Sequence, residues 1–200
     1  MTRLILIRHA PTAETGKRLS GRLPGVPLTP AGRQAAAALA RRLAGAPLAA
    51  VYTSPLLRCR QTAAAVAAPH RLVPLVRHHL ADTDYGDWSG RALSAVRRTA
   101  LWRLVRECPS QVTFPAGESL PAVQERAVAA CESVGAAHPS ATVALVTHSD
   151  VIATALAHYL GMPLDLFPRL APAAASATIL DLAGDGDVRV RALGVTAEDT

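Results

Sequence analysis

The run Leu4-Ile5-Leu6-Ile7 constrains this chain more than any other stretch. Four consecutive large aliphatic residues read as a strand buried on both faces, as in a parallel sheet. The run stops at Arg8-His9. Ligands of open parallel sheets bind in the crevice beyond the carboxyl ends of the strands, so both residues fall at a binding edge. Arg-His after a single strand could equally be a polar strand end meeting solvent. A second stretch tips the balance. Ala141-Thr142-Val143-Ala144-Leu145-Val146-Thr147 is another core strand, and it ends in His148. Two buried strands that each close on histidine point to one site at one sheet edge.

Strands and helices alternate along the rest of the chain. The stretch from Pro11 to Leu28 is a polar, Gly- and Pro-punctuated loop carrying Thr12, Thr15, Arg18, Ser20 and Arg22. Loops of this length inside a compact domain are usually functional. Thr29-Pro30 begins a helix, with threonine as N-cap and proline at the first helical position, running to Leu43 and ending near Gly45. Ala49–Thr53 is a short strand, and Ser54-Pro55 repeats the capping device, which puts Arg58 in the first turn of the next helix. Leu72–Val76 contains Pro74 and therefore reads as an edge strand. Leu80 to Gly90 is an irregular loop with three aspartates, Asp82, Asp84 and Asp87. Arg91 to Glu107 reads as one helix with Val96, Leu101, Leu104 and Val105 near one face. A turn at Pro115–Ser119 leads into a helix ending at Gly135. Ser149 or Asp150 caps a helix closed by Gly161-Met162-Pro163. Ala177–Leu182 and Val188–Leu193 flank Gly184-Asp185-Gly186 as a hairpin. No internal repeat or linker divides the chain, so residues 1–200 form one domain. The alternation implies an α/β class, a three-layer α/β/α sandwich with a mainly parallel central sheet.

Composition limits the function. Half of the residues are hydrophobic but only 4% are aromatic, so the core is built from Ala, Leu and Val. The formal charge is +6, and Lys17 is the only lysine among 21 basic residues. Arginine makes forked contacts to phosphate or carboxylate. The arginines are scattered, which argues against a nucleic-acid face. Cys59, Cys108 and Cys131 lie far apart and odd in number, so reduced thiols are expected rather than a disulfide framework or a zinc knuckle. No signal peptide precedes the first strand. No apolar run reaches the roughly 18 residues of a membrane span. A cytoplasmic protein without membrane contact is expected, as monomer or homodimer.

Taken together, the motifs resemble those of the histidine phosphatase superfamily, the phosphoglycerate-mutase-like fold. Arg8-His9-Ala10 is similar to its Arg-His-Gly signature. Pro27-Leu28-Thr29-Pro30-Ala31-Gly32-Arg33-Gln34-Ala35 and Ser54-Pro55-Leu56-Leu57-Arg58-Cys59-Arg60-Gln61-Thr62-Ala63 match two further motifs. Tyr85–Gly90, Gly117-Glu118-Ser119 and Val146-Thr147-His148 follow in the family's order. The resemblance implies a phosphate pocket of Arg8, His9, Arg58 and His148, with Thr15 beside it. It implies a phosphohistidine at His9 and a small phosphorylated substrate, with no metal or other cofactor. Asp82 stands where the family places a glutamate proton donor, and Asp84, two residues on, is the alternative. Pro11 replaces a family glutamate, and Thr15 holds a position where asparagine is common.

Histidine nucleophiles, arginine forks and a carboxylic acid suit phosphoryl transfer on chemical grounds alone. Three other readings compete with hydrolysis. A mutase-type phosphotransferase would need a longer segment than the one between Gly90 and Gly117. A catalytically weak relative that only binds phosphorylated ligands is kept open by the aspartate at position 82. A metal-dependent hydrolase using His9, His148, Asp82 and His78-His79 lacks a recognisable ligand spacing.

Overall fold

The computed structural model describes residues 1–183 and 186–197. One six-stranded sheet organises the chain, in the order β3-β2-β4-β1-β5-β6. Its strands are β1 (Thr2–Arg8), β2 (Leu48–Thr53), β3 (Leu75–Val76), β4 (Thr142–Thr147), β5 (Ala177–Leu182) and β6 (Val188–Val195). The first four in spatial order run parallel, and β5 and β6 are antiparallel additions at one side. The sheet is therefore mixed but mainly parallel. The expected tip of the last hairpin, Gly184 and Asp185, lies outside the described residues.

The strand period of two sorts side chains between two helical layers. Ile5, Ile7, Val51, Ala144 and Val146 pack on Leu39, Leu43, Cys59, Ala63 and Val66. These partners belong to α1 (Pro30–Leu43) and α2 (Leu57–Ala67). The alternate residues Leu4, Leu6, Tyr52, Val143 and Leu145 pack on Cys131, Val134, Ile152 and Leu156. That second layer is α5 (Leu120–Ala137) and α6 (Ser149–Tyr159). Both neighbours of every residue in the Leu4–Ile7 run are thus covered, which is why the run carries no polar alternation. Two short helices, α3 (Leu93–Val96) and α4 (Ala100–Glu107), sit apart from these layers, above the strand ends.

Several boundaries differ from those read in the sequence. α1 starts as expected, with Thr29 Oγ1 accepting from the Gly32 amide at 2.9 Å. α2 starts later than Ser54-Pro55 predicts. A residue before proline is pushed out of the helical region, and Ser54 instead accepts from the Leu56 amide at 3.3 Å. Arg91–Glu107 is not one helix, because Thr99 breaks it and caps α4 by accepting from the Trp102 amide at 3.2 Å. Leu104 is exposed rather than on the inner face. α5 continues two residues past Gly135 to Ala137. Neither Ser149 nor Asp150 caps α6; His148 occupies the cap position with no side-chain bond to the helix. The edge strand holds only Leu75–Val76.

Candidate active site

The carboxyl ends of β1, β4 and β2 lie side by side and deliver His9, His148 and Ser54 to one edge. Backbone bonds lock their heights: the His9 amide donates to Thr147 O and the Ser54 amide to Val146 O, both at 2.9 Å. The rings of His9 and His148 meet edge to face, with centroids 5.2 Å apart.

His9 has a defined tautomer. Its Nδ1 lies 2.9 Å from Ala10 O. A carbonyl only accepts, so Nδ1 carries the proton and Nε2 keeps a lone pair. Thr62 fixes the backbone of the same residue by accepting from the Ala10 amide at 3.0 Å while donating to Arg58 O at 2.8 Å. Burial lowers the His9 pKa to about 3 against the opposing bond to Ala10, and the Arg58 and Arg8 charges push it the same way as burial. His148 is likewise held well below the usual histidine range, by burial first and then by Arg58. Both imidazoles are neutral near pH 7.

Arg58 is 1% exposed. Its Nη2 donates to Gly21 O and to Asp82 Oδ2, each at 2.7 Å. Arg8 donates from Nη1 to Pro172 O at 2.7 Å. Arg8 Nε and Arg58 Nη1 are buried without a hydrogen-bond partner among the described residues. Burying a charged donor unpaired is costly, and both arginines line the same cavity as His9.

Asp82 enters this cluster from the long loop. Its Oδ2 also lies 3.3 Å from His148 Nδ1, and its Oδ1 accepts from the Thr83 amide at 3.0 Å. Burial raises its pKa to about 6, outweighing the Arg58 charge; Asp150 adds to the rise. Asp84 turns away, accepting from the Gly86 amide at 3.0 Å and facing exposed Arg22 at 3.5 Å.

The Asp82 backbone is clamped. Arg22 Nε and Arg126 Nη2 both donate to Asp82 O, at 3.1 and 3.2 Å. Glu118 holds both arginines, accepting at 2.6 Å from each. The Gly117-Glu118 turn can approach because Gly86 (φ +51°) and Gly117 face each other; a Cβ on Gly117 would sit 2.3 Å from Asp84 O.

A cavity of about 700 Å³ opens above these groups. Arg8, His9, Arg58, Asp82 and His148 line its floor, and Thr15 lines its side. The Thr15 hydroxyl is already engaged with the Thr12 amide at 2.9 Å. Leu93, Trp102 and Val105 from α3 and α4, with Phe114, Phe167 and Leu170, form an apolar wall. Sequence reasoning missed that wall beyond residue 163 and missed Asp150, which accepts from Tyr85 Oη at 2.7 Å inside the cavity. It also read Ser54 only as a cap. The strand-edge rule that picked His9 and His148 applies equally to Ser54. His78 and His79 lie exposed in a turn away from the cavity, so the ligand set of a metal hydrolase is not brought together.

A cavity floor of two strand-end histidines with the part-buried Arg8 and the buried Arg58 defines a phosphate-handling α/β protein. The family description "Histidine phosphatase superfamily (branch 1)" matches residues 4–195, and the chain belongs to this superfamily. It is 32% identical over 172 residues to phosphoserine phosphatase 1 of Hydrogenobacter thermophilus, covering 84% of this chain and 80% of that protein. It is 34% identical over 200 residues to a glucosyl-3-phosphoglycerate phosphatase of Mycolicibacterium vanbaalenii, covering 92% and 87%. The solved structure of Bacillus stearothermophilus YhfR superposes with a TM-score of 0.88 at 33% identity, covering 98% of this chain and 99% of that one. The chain spans 54% of the length of three longer mycobacterial relatives that are 36% identical to it. No helix among the described residues is long and apolar enough to cross a membrane.

Proposed function

We propose that the chain hydrolyses phosphomonoesters through a phosphohistidine at His9. One observation carries this reading: His9, whose Nε2 keeps a lone pair, lines the same cavity as Arg8 and Arg58, and each arginine holds a buried nitrogen, Arg8 Nε and Arg58 Nη1, with no partner among the described residues. A phosphoryl group would satisfy both and present phosphorus to the nucleophile. The positive charge at the transferring oxygens comes from Arg8 and Arg58, so the step needs no metal.

The chemistry balances in two steps. His9 Nε2 attacks phosphorus, the ester P–O bond breaks, and the leaving oxygen takes the proton of Asp82. Asp82, now a carboxylate, removes a proton from water as its oxygen attacks phosphohistidine. The P–N bond breaks, inorganic phosphate departs, and both groups return to their starting states.

The substrate is a small phosphorylated metabolite, and the cavity has room for a leaving group bulkier than serine. Ligand cavities run to about 300–1,000 Å³, and this one holds about 700 Å³ with an apolar wall beside the polar floor. Relatives named for phosphoserine and for glucosyl-3-phosphoglycerate bracket the range of size. Transfer to water is favoured over transfer to a second substrate, because α3 and α4 form a short roof. The three free cysteines, two of them buried, suit a reducing compartment such as the cytoplasm. A panel of phosphorylated metabolites assayed with wild type and His9→Ala tests the reading. Turnover in the wild type and its loss in a folded variant are expected; wild-type rates in His9→Ala would overturn it.

A further inference from the structure

We propose that Ser54 is a positioning residue that sets the tautomer of His148, so that the Nδ1–H of His148 is the hydrogen offered to the substrate phosphate. This rests on the phosphatase reading of the cavity, but its first test does not depend on activity.

His148 is 1% exposed, and its two ring nitrogens meet different partners. Nδ1 lies 3.3 Å from both Arg58 Nη2 and Asp82 Oδ2. Nε2 lies 2.9 Å from Ser54 Oγ and 3.3 Å from Cys59 Sγ. A terminal guanidinium nitrogen carries two hydrogens. Those of Arg58 Nη2 go to Gly21 O and Asp82 Oδ2, both at 2.7 Å. None is left for His148. With Asp82 ionised, Nδ1 therefore meets the carboxylate oxygen as a donor, and Nε2 must be the nitrogen that accepts.

Two hydrogens could reach Nε2. The Cys59 thiol has an acceptor in Thr147 O at 3.5 Å. Ser54 Oγ already receives the Leu56 amide at 3.3 Å, which leaves its own hydrogen free for Nε2. A directed chain results: Leu56 N–H to Ser54 O–H, Ser54 to His148 Nε2, and His148 Nδ1–H outward to Asp82 Oδ2. With Asp82 protonated as the acid, the Nδ1–H is released to a phosphate oxygen. The opposite tautomer would aim a lone pair at the phosphate anion and lose one stabilising donor. The tautomer of a ring is set by the bond its other nitrogen makes. Here Ser54 makes that bond.

The test is long-range proton–nitrogen NMR of the 15N-histidine-labelled protein without substrate, above about pH 7 so that Asp82 is ionised, with His148 assigned by His148→Gln. In the wild type, Nδ1 is expected as the protonated nitrogen and Nε2 as the lone-pair nitrogen. Wild-type His148 protonated on Nε2 overturns the proposal, whatever any variant does. Ser54→Ala should scramble or reverse the pattern, lower kcat by about 100-fold as loss of one transition-state donor does, and weaken inhibition by inorganic phosphate. Ser54→Thr, which keeps the hydroxyl, should restore the wild-type pattern. An unchanged ring pattern in Ser54→Ala also overturns it. Failure of the phosphatase reading looks different: His9→Ala would keep its turnover while the ring spectrum stayed as expected.

Discussion

Arg58 Nη2 and Asp82 Oδ2 lie 2.7 Å apart, yet the carboxyl is held at a pKa of about 6. An ion pair alone would depress it. Burial wins, because the whole cluster sits away from water and Asp150 adds a second negative charge nearby. The pair therefore fixes Asp82 in place without stripping its proton, which is what a general acid requires.

Asp82→Asn should impair alkyl phosphates far more than aryl phosphates, since an aryl leaving group needs little protonation. The expected loss in kcat/KM on an alkyl ester is about 100- to 10,000-fold, the usual contribution of a general acid. Asp84→Asn should have little effect on either ester, because its carboxyl faces Gly86 and Arg22. A selective alkyl loss in Asp84→Asn, with equal losses at Asp82, would hand the role to Asp84.

The pH profile follows from the same groups. His9 must be neutral, which holds above about pH 3, and Asp82 must be protonated, which holds below about pH 6. For an alkyl phosphate, kcat/KM should be greatest between these limits. It should fall about tenfold per unit at higher pH as the acid is lost. The alkaline fall should vanish in Asp82→Asn. Its persistence there would assign the titration to another group.

The cavity wall predicts a preference for bulk. Trp102 lines the cavity from α4, beside Leu93 and Val105. Trp102→Ala should raise KM about tenfold for esters with large apolar or ring-bearing leaving groups, the worth of about 1.4 kcal/mol of lost contact. Phosphoserine should be nearly unaffected. Equal effects on both would show that the wall does not touch the leaving group.

Away from the site, Asp181 on β5 accepts from Arg3 Nε at 2.7 Å, Arg3 Nη2 at 3.0 Å and Arg191 Nε at 2.7 Å. The Arg3 hydrogen bonds come first in holding its pKa down to about 2. A depressed carboxyl stabilises the fold above its unfolded pKa, and that stabilisation is lost as pH falls from about 4 through 2. Asp181→Asn should cost about 1–2 kcal/mol at pH 7, discounted because both arginines are half exposed. Urea titrations should show the difference shrinking toward pH 2. A constant difference across that range would contradict the ion-pair account.

Much of the fold was legible in the sequence. The unbroken Leu4–Ile7 run and Ala141–Thr147 carry their own burial, and Thr29-Pro30 carries its own cap. The site was legible where it lies on strand ends, at Arg8, His9 and His148. Legibility failed where tertiary contacts decide. Ser54 reads locally as a cap, but its hydroxyl is claimed by His148 across the sheet. Asp82 and Asp84 look alike in the chain. The clamp of Arg22 with Glu118 and Arg126, drawn from two distant segments, turns one inward and leaves the other at the surface. Thr99 interrupts a continuous apolar pattern, and that break creates the two-piece roof.

The most direct measurement is a rapid-quench trap with 32P-labelled phosphomonoester, followed by digestion and mapping of the label. The account predicts acid-labile, alkali-stable phosphate on His9, formed within one turnover and absent from His9→Ala. Turnover with no covalent phosphate, or label on another residue, would contradict it.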